Sequence, residues 1–159
     1  MIAVLALFLA VHIAPPCTGA QLSGTFKVVP GSPGAGNIVY ALRVENKSTH
    51  TCFVTGVPHV TLLDQHGHTL PTHTFPSQPG AGTAVLVTLK PGKSTSATAR
   101  FSPDIPGPGE KTLGQCEPKS YWLRVSPNGG GTLRAPIQPP TPVCEHGGMT
   151  WRVFTLPAR

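Results

Sequence analysis

The chain has 159 residues, with twelve Lys and Arg against six Asp and Glu for a formal net charge of +6, and only 11% of its residues are charged. That length supports one domain with a substantial core and is short for two. The cationic residues fall singly along the chain, so the charge predicts general attraction to anionic surfaces, while the lack of a basic stripe argues against nucleic-acid recognition.

Residues Met1 to Ala14 (MIAVLALFLAVHIA) are almost wholly apolar and carry no Lys, Arg, Asp or Glu. Roughly 20 apolar residues are needed to cross a bilayer as a helix, and Pro15-Pro16 stops this run short. It is read as a secretory signal core, with residues 15–159 as a single exported domain and no integral span in the mature protein. The missing basic n-region implies a start upstream of Met1. Cleavage after Ala14 would keep Cys17, and cleavage after Ala20 would remove it. A lipid anchor at Cys17 is disfavoured, because Pro16 is not a small residue.

Beyond Cys17 a period-two alternation recurs. It predicts strands over Gln21–Val29, Asn37–Glu45, His59–Asp64, Thr83–Leu89, Ser94–Phe101, Tyr121–Val125, Thr132–Ile137 and Met149–Leu156. Asn37–Glu45 is the cleanest, with Ile38, Tyr40, Leu42 and Val44 on one side. Turn chemistry separates the strands: Pro30-Gly31-Ser32-Pro33-Gly34, Asp64-Gln65-His66-Gly67, Lys90-Pro91-Gly92-Lys93 and Ser126-Pro127-Asn128-Gly129. No stretch carries a capped helical repeat. The expected fold is all-β, a two-sheet sandwich of about eight short strands. The stretches His66–Pro79 and Pro103–Gly114 are the longest without a strand signal and are the expected contact loops.

Four cysteines, Cys17, Cys52, Cys116 and Cys144, allow three disulfide connectivities. If the first two strands form a hairpin, Cys17 at its start lies opposite the region of Cys52. The hairpin of Tyr121–Val125 and Thr132–Ile137 is flanked by Cys116 and Cys144. The expected pairs are therefore Cys17–Cys52 and Cys116–Cys144. Zinc sites favour closely spaced cysteine pairs, and none occurs here.

The run Val44-Glu45-Asn46-Lys47-Ser48-Thr49-His50-Thr51-Cys52-Phe53-Val54-Thr55-Gly56-Val57-Pro58, followed by Val60, Leu62, Asp64 and Gly67, resembles the bacterial domain-of-unknown-function family four-two-three-two. The likeness continues through Leu89-x-Pro91-Gly92, Cys116, Leu123-x-Val125 before Pro127, and Cys144. That family occurs mostly in secreted and lipid-anchored actinobacterial proteins. The resemblance implies an immunoglobulin-like antiparallel sandwich outside the cytoplasmic membrane, with two disulfides, and implies no activity.

Candidate chemistry is sparse. His59, His66 and His68, with His73 nearby, are the one local concentration of ligands for copper or zinc; as ordinary residues they would be solvated loop histidines. The six acids are scattered, with no spacing that faces two across a cleft. No GxSxG elbow is present, and Gly129-Gly130-Gly131 lacks the lysine and helix of a phosphate loop. Asn46-Lys47-Ser48 fits the N-glycosylation pattern. Trp122 and Trp151 are read as packed edge aromatics, with an outward tryptophan that anchors a partner as the alternative. The expectation is a non-enzymatic, secreted or envelope-associated module without a cofactor, binding an extracellular or envelope partner through its end loops or a sheet face. The alternative is an envelope metal-binding protein using His59, His66 and His68, and a secreted enzyme or inhibitor ranks third.

Overall fold

The computed structural model describes residues 13–79, 85–113 and 116–155. Most of the apolar segment Met1–Ala14 and the ends of three expected stretches (83–84, 114 and 156) lie outside the described residues. Among the described residues ten strands form, β1 (Leu22–Val28), β2 (Ile38–Asn46), β3 (Cys52–Val54), β4 (His59–Leu63), β5 (His73–Pro76), β6 (Val87–Leu89), β7 (Ser94–Phe101), β8 (Ser120–Ser126), β9 (Leu133–Thr141) and β10 (Gly148–Trp151).

The strands follow one another in the order β4-β8-β9-β1-β2-β7-β10-β5, with β3-β6 as a separate ribbon. Only two residue pairs, Phe26–Ile137 and Lys27–Gln138, join β1 to β9. The arrangement is therefore two layers, β4-β8-β9 and β1-β2-β7-β10-β5, hinged at that seam. With β1 as A, β2 as B, β4 as C, β7 as E, β8 as F and β9 as G, this is the pairing of an immunoglobulin-like sandwich.

Two pairings depart from a purely antiparallel plan: β1 with β9 and β10 with β5 are parallel. Both join strands far apart in sequence, where no short turn forces antiparallel entry. β5 lies inside the stretch His66–Pro79 that was expected to be loop. All four of its residues are exposed, so it has no buried face and no alternation to betray it. β9 runs past Ile137 through Pro139 and Pro140. A proline cannot donate to a ladder, but Pro139 needs only to accept, and its carbonyl takes the Tyr40 hydroxyl at 2.8 Å.

The core is built by alternation. β2 buries Tyr40, Leu42 and Val44, β7 buries Ala97, Ala99 and Phe101, and β10 buries Met149 and Trp151. In register, Ala99 lies between Tyr40 and Trp151. Its small side chain lets Phe26 reach both rings, at centroid distances of 5.0 Å to Tyr40 and 5.6 Å to Trp151. Aromatic pairs of this kind add about 0.5–1.5 kcal/mol each beyond burial. Trp151 is fully buried, so it packs in the core and the outward alternative does not hold for it. The sequence Met149-Thr150-Trp151-Arg152 alternates, and only this phase puts Met149 and Trp151 in the core. Trp122, on β8, is half-buried.

Asn46 ends β2 and is wholly buried. Its Nδ2 donates to the His50 carbonyl at 2.7 Å and the Leu89 carbonyl at 2.9 Å, and its Oδ1 accepts from the Ser48 amide at 3.0 Å and hydroxyl at 2.7 Å. Those bonds tie β2, the following loop and β6 together. They also rule out the glycosylation reading for the folded chain, since Nδ2 is neither exposed nor free.

Disulfides join Cys17 to Cys52 and Cys116 to Cys144, with Cα separations of 4.9 and 5.6 Å. Loops of this size correspond to about 3–4 kcal/mol each on the chain-entropy account. The route to the first bridge differs from a simple hairpin. The strip around Cys17 runs parallel to β3, donating the Cys17 amide to Phe53 at 2.8 Å and accepting the Phe53 amide on Pro15 at 2.9 Å. The 3₁₀ turn Gly19–Gln21 then redirects the chain into β1. The hairpin tip at Gly129 presses on this strip so closely that a Cβ there would lie 2.5 Å from the Pro16 carbonyl oxygen. This is the role of Gly129, while Gly130 and Gly131 take positive φ in the turn.

Trp151→Ala is expected to cost about 3–5 kcal/mol in denaturant unfolding. Trp151→Phe should cost clearly less, because it keeps the aromatic stack and removes an indole N–H that has no hydrogen-bond partner.

Candidate functional site

The histidine turn is organised by Asp64. Its Oδ1 accepts the amides of His66 and His68, both at 2.8 Å, and its Oδ2 pairs with His68 Nδ1 at 3.0 Å. An aspartate that caps its own turn in this way is a local structural device. His59 stands at the far end of β4, five residues before Asp64, or about 17 Å at strand spacing. Among the described residues, the groups whose ligand atoms lie within 4.8 Å of one another are Glu110/Cys116/Cys144 and Glu110/Glu117/His146. His59, His66 and His68 do not converge, so the alternative metal site is not formed by those three.

Acids that looked scattered meet instead at the Cys116–Cys144 end. Cys144–Gly147 forms a single turn in which Glu145 (φ 56°), His146 (φ 55°) and Gly147 (φ 76°) are all left-handed. For the two non-glycine residues this costs roughly 1–2 kcal/mol each. The turn aims successive amides at Glu110, whose Oε2 accepts from Glu145 at 2.8 Å and Gly107 at 2.6 Å, while Oε1 accepts from His146. The Glu110 side chain is only 2% exposed. Such a nest of amides binds anions, and here a carboxylate of the chain fills it. A Cβ on Gly147 would overlap the Pro71 carbonyl oxygen at 1.9 Å, so the turn also needs glycine at that position.

Desolvation pushes the Glu110 carboxyl up, but hydrogen bonds from the amides of His146, Gly107 and Glu145 and the His146 charge outweigh it and hold the pKa below the ordinary glutamate range. Burial, followed by repulsion from and hydrogen bonding to Glu110, pushes Glu117 above that range, partly opposed by His146. The two neighbouring acids are thus shifted in opposite directions. Glu110 and His146 are 36 residues apart, and no local pattern announces the pair.

The third feature lies on the solvent face of β2, β7 and β10. Arg100 on β7 is directly opposite Val39 on β2 and Thr150 on β10. Arg152, just past β10, donates its amide to Thr98 at 2.8 Å. Since Ala99 and Trp151 point inward, Thr98, Arg100, Thr150 and Arg152 all point outward. They line, with Val39 and Ser77, an open groove of about 560 Å³. Among the described residues the ion pairs of this sheet face are those of Glu45 with Arg43 (3.1 Å) and Lys47 (2.6 Å), and neither Arg100 nor Arg152 takes part in one.

The chain belongs to the family described as Domain of unknown function (DUF4232), whose model matches residues 17–153. The match therefore takes in all four cysteines, Asn46, the Glu110 nest and both groove arginines. No curated protein and no solved structure matches the chain. Among the described residues no helix is long and apolar enough to cross a membrane.

The two glutamates make opposite contributions to stability with pH. A depressed folded-state pKa means that the Glu110 contribution is present above the unfolded pKa and is lost as pH falls through the folded one. A raised pKa means that the fold binds the Glu117 proton more tightly, so stability falls as pH rises from the unfolded towards the folded pKa. Urea midpoints measured from acid to neutral pH should show Glu117→Gln more stable than the parent at neutral pH. Glu110→Gln should be less stable there and should lose the Glu110 share of the acid-side dependence, the shares of Glu45 and Asp64 remaining.

Proposed function

We propose that this member of the DUF4232 family is a non-enzymatic, extracytoplasmic sandwich module that acts by binding at the cell envelope. Two disulfides support the compartment, because such bonds persist where the environment is oxidising, and the apolar segment Met1–Ala14 supports export. The observation that carries the binding reading is the open face of the five-stranded layer, where two arginines stand in a solvent-filled groove without an ion-pair partner among the described residues. Paired charges on a face are ordinary; an unneutralised pair is a recognition feature. The Glu110 carboxylate, by contrast, is buried and holds a turn. Fold alone names no partner, so the reading rests on this surface.

Expression of the full chain in its source organism should place the protein outside the cytoplasm with no alkylatable thiol. The purified protein should then bind isolated envelopes saturably and be released unchanged by salt. A reduced cytoplasmic protein, or envelopes that take up none of it, would contradict the proposal.

A further inference from the structure

We infer that the groove between Arg100 and Arg152 binds a linear polymer of phosphodiester-linked polyol units. This identification rests on the envelope-binding reading above and deepens it. The geometry comes from the register of β7 and β10. Thr150 is the direct partner of Arg100, and Arg152 lies two residues further on, so the two arginines are diagonal neighbours at about 7–8 Å between Cα atoms. Neither guanidinium has an ion-pair partner among the described residues, so the pair leaves a positive field over the groove. Elsewhere on the face Arg43 and Lys47 share Glu45.

Several observations select the ligand class. A guanidinium presents a planar fork suited to two oxygens of one phosphate. Two forks on adjacent strands fit two successive phosphates along a chain better than a single ion. Thr98, Thr150 and Ser77 line the same groove and add hydroxyl donors, which suit the tetrahedrally disposed oxygens of a phosphodiester better than the coplanar lone pairs of a carboxylate. Lys27 shares a cross-strand row with Ala41 and Thr98, the row that Arg152 extends, and it prolongs the basic track towards β1. Single-stranded nucleic acid carries the same diester but is gripped by stacking successive bases on aromatic rings. Beside this groove the exposed large aromatic is Phe75, opposite Thr150 on the edge strand. A single ring favours a polymer without bases.

The test is calorimetric titration of the disulfide-intact chain with a synthetic glycerol-phosphate oligomer. Inorganic phosphate, a carboxylated polysaccharide and an oligonucleotide of matched charge serve as competitors. The oligomer should bind at low salt, and at least tenfold more tightly than any of the other three. Arg100→Ala and Arg152→Ala should each weaken binding about tenfold and lower the salt dependence by about one counterion. The double variant should lose binding while keeping its melting temperature, since both side chains are exposed. Lys119→Ala, on a different loop, should leave affinity unchanged. Equal binding of the oligonucleotide or the carboxylated polymer, or an unchanged double variant, would overturn the assignment. If the double variant still binds isolated envelopes as the parent does, the groove assignment fails and the envelope reading stands. If the parent binds neither envelopes nor oligomer, both fail.

Discussion

The surface of this protein is dictated by the burial of one side chain, Trp151. Its ring must fit against Phe26 and above Ala99, and strand side chains alternate between faces, so Thr150 and Arg152 have no choice but to face water. A slip of one residue would send Arg152 into the core and Trp151 out of it. Burying an unpaired guanidinium is prohibitive, and the aromatic stack would be lost as well. The same packing energy that holds β10 on β7 therefore sets two like charges side by side. Folding stability and the recognition surface share one register.

Around that core, separate devices hold the ends. At one end Asn46 satisfies four hydrogen bonds in a dry environment, and Cys17–Cys52 fastens the incoming chain to β3 beside it. A buried amide with every donor and acceptor matched is stabilising, whereas one left half-matched would cost more than an apolar side chain. At the other end Cys116–Cys144 and the Glu110 carboxylate together hold a left-handed turn that the backbone alone would not adopt. Three amides converging on one carboxylate offset the strain of two non-glycine residues at positive φ. This arrangement gives a buried acid beside a histidine a structural role.

Much of this was legible in the amino-acid order. The strands with a buried face, such as Asn37–Glu45 and Ser94–Phe101, declared themselves by alternation, and the turns by proline and glycine. Four things did not. β3 is only three residues long, too short for a period to register, and β5 is exposed on both faces. The parallel pairings and the Glu110–Glu117–His146 group depend on contacts between distant segments, which no local window contains. The outward histidines formed a visible cluster, yet the length of β4 separates His59 from the turn. The groove was half legible. Ala97-Thr98-Ala99-Arg100 and Met149-Thr150-Trp151-Arg152 both alternate apolar with polar, so each arginine could have been placed on the solvent side. With an outward Trp151 left open as an alternative, the phase of the second was not fixed and the pairing stayed hidden.

The most direct measurement is hydrogen exchange of the Trp151 indole N–H by NMR, resolved from Trp122 with a Trp122→Phe variant. Exchange slowed to the rate of the slowest backbone amides, with cross-peaks to the Phe26 ring, is the predicted result and fixes the phase of β10. Rapid exchange with water, or an indole without contacts to Phe26, would place Trp151 outside the core and remove Arg152 from the groove.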